Sequence, residues 1–285
     1  MQESFSKTSS FVEPADSSEN TMIGEQAQAR VTTLLREFMN GWIAKQYEEL
    51  RRIEEEGVSP SGILAPFHDA LVPGIRGLGE RGFSTALGNL HERIALEIAS
   101  DAHEEAERAH HLAGNLPVLA REFITQRIDQ LEDGGARPDH SYEREQLLGA
   151  FGAEVPEDTR IDLYVRSNAA TEHYFEMKSA KPNKGQCIEM KQRLLTVLGI
   201  RRVESVFVWW GVPYNPYGTA AAYSHPYPAR FFDFASEVKL GAEFWNFVGD
   251  DEGTFELLLG LYRNVGEEYA DQLDGLHALL AGREV

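Results

Sequence analysis

Apolar residues recur at helical spacing over residues 23 to 56, the first long periodic stretch of the chain. Their positions lie three or four residues apart: Val31, Leu34, Leu35, Phe38, Trp42, Ile43, Leu50 and Ile53. This spacing predicts one long amphipathic helix whose apolar stripe packs in the core or against another subunit. The residues before it are rich in Ser, Glu and Asp, and they predict a disordered tail over residues 1 to 20.

Helical spacing continues through the first half of the chain. A helix is predicted from Ser84 to about His111, and a second one from Asn115 to about Glu132. Between the first long helix and Ser84, the prolines and glycines of residues 58 to 79 predict a connecting loop. We therefore expect a helical region over residues 21 to 150, packed on a core over residues 151 to 285 in one integrated domain.

The periodicity changes to that of strands after residue 160. Residues 161 to 165 alternate apolar and polar side chains, and residues 173 to 179 form a second strand-like stretch after a polar turn. Residues 184 to 198 predict a helix, and residues 203 to 212 predict a buried strand. The order strand, strand, helix, strand predicts an α/β fold with helices packed over the sheet.

Candidate chemistry lies on the first two of these strands. Glu176 and Lys178 are two residues apart, so a strand places both on one face, and a hairpin would bring Asp162 near them. Two carboxylates and an ammonium group suit a hard divalent cation beside a positioned water molecule. This combination predicts the metal-dependent core of a phosphodiesterase.

Two other polar motifs receive structural interpretations. Glu189 and Lys191 repeat the Glu-any-Lys pattern, but on a predicted helix, where residues two apart do not share a face. We interpret them as a solvated helix surface or, for Lys191, as a phosphate contact. His110 and His111 are adjacent on a predicted helix and are therefore interpreted as surface residues rather than metal ligands.

The overall charge of −19 argues against binding to a polyanion, but the charge is unevenly distributed. Residues 178 to 202 carry seven basic side chains and a single acid, Glu189, which gives a local excess of +6 and leaves −25 for the remainder. A basic segment beside the proposed metal site can guide a polyanion locally. Acidic residues elsewhere can serve simply to keep the protein soluble.

The single cysteine, Cys187, excludes an internal disulfide and fits a reducing compartment. The amino terminus lacks an apolar signal-peptide core, and the longest apolar run, residues 206 to 212, is too short to span a bilayer. These features predict a cytoplasmic protein without membrane association.

Three stretches resemble the restriction endonucleases of the PD-(D/E)xK superfamily, and specifically those of the TdeIII type. They are residues 83 to 95 (Phe-Ser-Thr-Ala-Leu-Gly, then His-Glu-Arg-Ile-Ala), residues 161 to 186 (Ile-Asp-Leu-Tyr-Val, then Phe-Glu-Met-Lys-Ser-Ala-Lys-Pro-Asn-Lys-Gly-Gln) and residues 241 to 249 (Gly-Ala-Glu-Phe-Trp-Asn-Phe-Val-Gly). The resemblance covers residues 60 to 270 approximately. Ile161 replaces the proline that gives the superfamily its name, a position that varies within it.

The resemblance implies a mixed sheet flanked by helices and a Mg²⁺-dependent enzyme that cuts both strands of duplex DNA at a short specific site. It implies that Asp162, Glu176 and the carbonyl of Met177 bind the metal, that Lys178 orients the attacking water and that Glu92 supplies an outer carboxylate. The product would carry a 5′-phosphate. The residues expected to contact DNA or support the site are Lys181, Asn183, Lys184, Gln186 and Lys191.

A palindromic target would require a twofold homodimer, and a restriction system would include a cognate DNA methyltransferase. Two alternatives remain open at this point. One is a nuclease of the same fold that recognises branched or damaged DNA. The other is a non-catalytic, mainly helical interaction protein in which Glu176 and Lys178 form an ordinary ion pair.

Overall fold

A computed structural model of the chain describes residues 23–56, 80–167, 171–218 and 220–281. The predicted tail over residues 1 to 20 and the predicted loop over residues 58 to 79 lie outside these ranges. The described elements, in chain order, are α1 (Glu25–Glu56), α2 (Glu80–Ala102), β1 (Glu105–Pro117), α3 (Val118–Asp133), α4 (His140–Leu148), β2 (Glu154–Arg166), β3 (Glu172–Met177), α5 (Lys184–Arg201), β4 (Val206–Val212), α6 (Phe234–Glu237), β5 (Val238–Leu240), α7 (Ala242–Val248), α8 (Thr254–Glu268) and α9 (Ala270–Ala281).

A mixed five-stranded sheet in the order β1-β2-β3-β4-β5 forms the centre of the fold. The first three strands are antiparallel neighbours, whereas β3, β4 and β5 run parallel. Helix α5 connects β3 to β4 and supplies the crossover that a parallel pair requires. The predicted order strand, strand, helix, strand is therefore confirmed, as is the α/β fold class.

Side chains on the two faces of the sheet enter two separate apolar cores. Helices α1, α2, α7, α8 and α9 cover the first core, and α3, α4 and α5 cover the second. Strand β4 shows the period of two, because Val208 and Trp210 enter the second core while Trp209 packs against the first. A side chain at the end of a strand can therefore meet helices of either layer.

The long amino-terminal helix is confirmed as α1. Its stripe residues Val31, Leu35 and Met39 are fully buried in the first core of the same chain. It packs against α2 and also against α8 and α9, which come from the far end of the sequence. None of the helices in the described ranges has the length and apolarity that crossing a bilayer requires.

Strand β1 corrects the sequence prediction. The predicted helix ends at Ala102 rather than near His111, because residues 105 to 117 pair with β2 except at Ala109. His110 consequently stacks on Tyr164 across the sheet, with ring centroids 4.5 Å apart, while His111 is exposed. This stretch contains no β-branched residue, so its sequence gives little indication of a strand.

Candidate active site

Asp162 lies where the regular pleat of β2 breaks. The pairing with β1 lapses at Ala109, which the register places opposite Asp162 and whose φ is 58°. Ile161 and Tyr164 both enter the second core, although residues three apart in a regular strand face opposite sides. The break allows Asp162 to interact with groups from both sides of the sheet.

The end of β3 brings two further predicted residues to Asp162. The backbone N–H of Met177 donates a hydrogen bond of 2.8 Å to Asp162 Oδ2, and Lys178 Nζ lies 3.5 Å from the same oxygen. The side chains of Asp162 and Lys178 are 19% and 30% exposed, whereas that of Glu176 is fully buried. Two carboxylates and an ammonium group thus meet at one partly accessible point.

The electrostatic state of Glu176 reflects this crowding. Burial, followed by the negative charge of Asp162, raises the pKa of Glu176 to about 8. Arg193 of α5 and Lys178 act in the opposite direction. The guanidinium Nη1 of Arg193 lies 3.2 Å and 3.5 Å from the two carboxylate oxygens of Glu176. The nearby cations therefore only partly offset the effects of burial and of the Asp162 charge on Glu176.

Glu92 joins the same site from helix α2. Burial and the charge of Asp162 raise the pKa of Glu92, while Arg108 and Lys178 oppose this rise. Arg108 of β1 lies 3.2 Å from the Glu92 carboxylate. We refer to Glu92, Asp162, Glu176, Lys178 and Arg193 as the strand-end cluster.

The predicted DNA contacts follow directly after β3. Asn183 accepts a hydrogen bond from the N–H of Gln186, and the Gln186 side chain accepts one from the N–H of Asn183, both of 2.9 Å. These reciprocal bonds form a capping box that begins α5. Lys184 pairs with Glu132 at 2.8 Å, and Lys181 Nζ lies 5.6 Å from the centroid of the Tyr217 ring. Their side chains are thus partly engaged within the protein.

Lys191 occupies a different environment from the one predicted. Its side chain is fully buried, and Nζ lies 2.5 Å from a carboxylate oxygen of both Glu143 and Glu237. Arg127 Nε donates a 2.8 Å hydrogen bond to Glu143, and His140 Nδ1 lies 3.3 Å from Glu237. The interpretation of Lys191 as a solvated or phosphate-contacting residue is wrong, because its ammonium group has no exposed surface. We refer to these five residues as the helix cluster.

The positive charge of residues 178 to 202 is largely compensated by acids from elsewhere in the chain. Six of its seven basic residues lie within ion-pair distance of a carboxylate. Arg201, for example, binds Glu172 through two nitrogens, and Arg202 lies 3.1 Å from Glu154. Counting charges along the sequence therefore overstates the positive potential of this segment.

Sequence reasoning missed two residues of the site. The sequence indicates Arg193 only as part of the basic segment, and it predicts Arg108 within a helix that in fact ends at Ala102. Arg193 lies seventeen positions after Glu176, and only the crossing of α5 over β3 brings them together. The residues near Arg193 gave one usable signal, because Glu189 precedes it by four positions, the spacing of an ion pair on a helix.

Comparisons with known proteins show which family the chain resembles. The family described as "Type II restriction endonuclease, HinfI" matches residues 27–266. Three restriction enzymes of Herpetosiphon aurantiacus, named HgiCII, HgiEI and HgiBI, are 32%, 33% and 32% identical to the chain, respectively. Each similarity extends over 81% of this chain and 92% of the relative.

The narrower resemblance to enzymes of the TdeIII type stays a prediction, because the matching family and these relatives carry other names. The match extends well beyond the strand-end cluster and includes both helical layers and every strand of the sheet. The chain therefore belongs to the HinfI family of type II restriction endonucleases.

Proposed function

We propose that this enzyme uses Mg²⁺ to hydrolyse phosphodiester bonds in both strands of duplex DNA at a specific sequence. The cleavage would leave 5′-phosphate ends and serve in defence against foreign DNA. The observation that carries this proposal is the meeting of Asp162, Glu176 and Lys178 at one partly exposed point. Restriction enzymes act on double-stranded DNA, and type II enzymes generally use divalent metal ions.

The donor set of the strand-end cluster fits a hard cation. Asp162 and Glu176 offer carboxylate oxygens, and the carbonyl of Met177 is a further candidate ligand. Burial, followed by the charge of Asp162, raises the pKa of Glu176, and a bound cation would favour the charged carboxylate against both effects. We therefore assign the Mg²⁺ site to these residues.

The helix cluster is a poorer candidate for the metal. His140, Glu143 and Glu237 lie close enough together to ligate an ion, with candidate ligand atoms within 4.8 Å of one another. However, the ammonium group of Lys191 already binds both carboxylates, and Arg127 binds one of them. A metal here would have to displace a buried cation, so we assign this cluster a structural role.

Within the proposed reaction, Lys178 orients the attacking water and favours its hydroxide form next to the scissile phosphate. When bound, Mg²⁺ stabilises the negative charge that develops on the phosphate and leaving oxygens. Glu92 provides an outer carboxylate. It lies close enough to Asp162 for the charge of Asp162 to raise its pKa, in addition to the effect of burial. Arg108, its ion-pair partner, holds it from the side of β1.

We propose that Lys181, Asn183, Lys184 and Gln186 contact the DNA backbone or support the site. All four belong to the segment that leaves the catalytic end of β3 and enters α5. Each is exposed or partly exposed, which a phosphate contact requires. The capping box would fix the start of α5 while its outer surface faces the DNA.

The assembly and cellular setting complete the proposal. A palindromic target calls for a homodimer in which each subunit cuts one strand. A cognate DNA methyltransferase would protect host DNA at the same sequence. Both enzymes would act in the cytoplasm, where foreign DNA is encountered.

Digestion of a long, fully sequenced, unmethylated DNA tests the proposal. The purified enzyme is incubated with Mg²⁺ or with EDTA, beside Lys178→Ala and the control Lys45→Ala, which removes an exposed lysine of α1. We expect discrete bands from the unmodified enzyme and from Lys45→Ala, and none with EDTA or from Lys178→Ala. Sequencing the fragment ends would give the target and the position of the phosphate.

Other results would point elsewhere. A smear would favour a nuclease without sequence specificity, and cleavage only of branched or damaged DNA would favour a repair role. Intact DNA in every reaction, with the protein folded, would favour the non-catalytic alternative.

A further inference from the structure

The second Glu-any-Lys motif, Glu189 and Lys191 on α5, has no part in the proposed reaction, yet both residues act on elements next to the site. Lys191 is buried between two carboxylates in the second layer. Glu189 is 55% exposed and pairs with Arg193, one helical turn further on. The motif therefore anchors α5 on one side and fixes Arg193 on the other.

Arg193 is the principal polar contact of Glu176. The Glu176 carboxylate is fully buried, so water cannot satisfy its oxygens. Within the described ranges, Arg193 is the one side chain recorded as donating hydrogen bonds to it, at 3.2 Å and 3.5 Å from the two oxygens. Lys178, the other nearby cation, approaches Asp162 instead, at 3.5 Å. The orientation of Glu176 thus depends on Arg193.

Two contacts of Arg193 and two anchors of its helix limit the freedom of Arg193 itself. Its Nη2 donates to the Glu189 carboxylate, while Nη1 faces Glu176. The capping box at Asn183 and the burial of Lys191 hold the helix that carries it. A planar guanidinium bound at two of its nitrogens keeps one orientation far better than a flexible ammonium group does.

We propose that Arg193, held by Glu189, is a positioning residue that keeps the buried carboxylate of Glu176 directed toward Asp162, so that the two acids can hold a divalent cation together. This inference rests on the proposed function, in which Asp162 and Glu176 are the metal ligands. Arg193 touches neither metal nor DNA in this role. It acts through Glu176, as groups that orient metal ligands commonly do.

Calorimetric titration with Ca²⁺, which permits binding to be measured without cleavage, tests this role. We expect Arg193→Ala to weaken Ca²⁺ binding about tenfold, in the range found for residues that orient metal ligands. Arg193→Lys should restore part of the affinity, and Glu189→Gln should weaken it less than Arg193→Ala does, because it acts on Glu176 only through Arg193. Arg121→Ala removes a comparable arginine–glutamate pair from α3 and should leave the affinity unchanged.

Unchanged or tighter Ca²⁺ binding by Arg193→Ala would overturn the inference, even if the variant had a lower melting temperature. If Arg193→Ala does not fold, the half-exposed Glu189→Gln decides the question, and an unchanged affinity there would overturn it. Asp162→Asn separates the two proposals. If the unmodified enzyme binds no Ca²⁺ that depends on Asp162, the proposed metal site fails and the role of Arg193 fails with it.

Discussion

The strand-end cluster and the helix cluster combine the same kinds of residues but differ in how well their charges are compensated. Each contains a fully buried glutamate, a lysine and an arginine. Burial alone would raise the pKa of Glu237, but Lys191 and His140 lower it to about 2. In contrast, burial and Asp162 raise the pKa of Glu176 to about 8.

The difference separates a structural ion network from a site that can accept a ligand. In the helix cluster, Lys191 satisfies two carboxylates at once and no further cation is needed. In the strand-end cluster, burial and the charge of Asp162 outweigh the effects of Arg193 and Lys178 on Glu176, and part of the cluster is exposed. We therefore expect the strand-end cluster, rather than the helix cluster, to bind the metal.

The largest effect should follow from removing the lysine of the strand-end cluster. We expect Lys178→Ala to reduce the rate of DNA cleavage by about 10³-fold or more, because the attacking water loses its orienting group. Stability should change by less than about 1 kcal/mol, since Lys178 is partly exposed and its ion pair is long. Single-turnover cleavage and urea unfolding measure the two effects. A change in stability without a loss of cleavage would contradict the expected contrast between the strand-end cluster and the helix cluster.

Removing the lysine of the helix cluster should mainly lower stability. Lys191→Met leaves Glu143 and Glu237 without their shared cation, which should lower the free energy of unfolding by about 3–5 kcal/mol. Lys184→Met is the matched control, because its pair with Glu132 is exposed and should contribute about 1 kcal/mol or less. Equal urea midpoints for the two variants would show that the buried network does not stabilise the fold.

Metal dependence should distinguish the clusters directly. At a Mg²⁺ concentration a hundred times the dissociation constant, binding should stabilise the unmodified enzyme by about 2.7 kcal/mol. Asp162→Asn should abolish this increment, whereas His140→Gln should retain it. Thermal unfolding with and without Mg²⁺ measures the increment for each variant, so any intrinsic loss of stability cancels. Loss of the increment in His140→Gln alone would move the metal site to the helix cluster.

A further expected effect concerns the dependence of stability on pH in the absence of metal. Because the pKa of Glu176 is raised from 4.5 to about 8 on folding, the folded protein binds the proton more tightly than the unfolded chain does. The stability that this proton provides is complete below pH 4.5 and is lost as the pH rises through about 8.

The Glu176→Gln variant has no titrating carboxyl group at this position, so it should not lose this stability as the pH rises. Its melting temperature relative to the unmodified enzyme should therefore increase by about 6 °C between pH 5 and pH 8.5. Calorimetry in EDTA measures the difference. A constant difference across this range would mean that Glu176 titrates normally.

Local sequence patterns predicted those features of the fold and the site that depend on residues close together in the sequence. The strand period identified Glu176 and Lys178, the hairpin brought Asp162 to them, and helical spacing identified α1 and α5. The environments of Lys191 and Arg193 could not be predicted in this way. Their partners Glu143, Glu237 and Glu176 lie between 17 and 48 positions away.

Strand β1 was missed for a related physical reason. Residues 105 to 117 have little intrinsic preference for a strand, so their conformation comes from pairing with β2, almost fifty residues later. The break at Ala109 also depends on a distant part of the chain. It interrupts the pairing with β2 at the position opposite Asp162, and residues near Ala109 in the sequence do not predict it. Pairing with β2 thus determines the strand β1, which local propensity does not predict.

The packing of α1 against α8 and α9 has a consequence for how the enzyme becomes active during its synthesis. Arg36 of α1 binds Glu268 of α8, and Tyr269 donates a hydrogen bond to the Arg36 carbonyl, so residues more than two hundred positions apart close the first core. A nascent chain that already contains Asp162 and Glu176 still lacks α7, α8 and α9, three of the five helices that cover one face of their sheet. DNA-cutting competence should therefore arise late in translation, and partial translation products should carry an exposed apolar surface that favours their degradation.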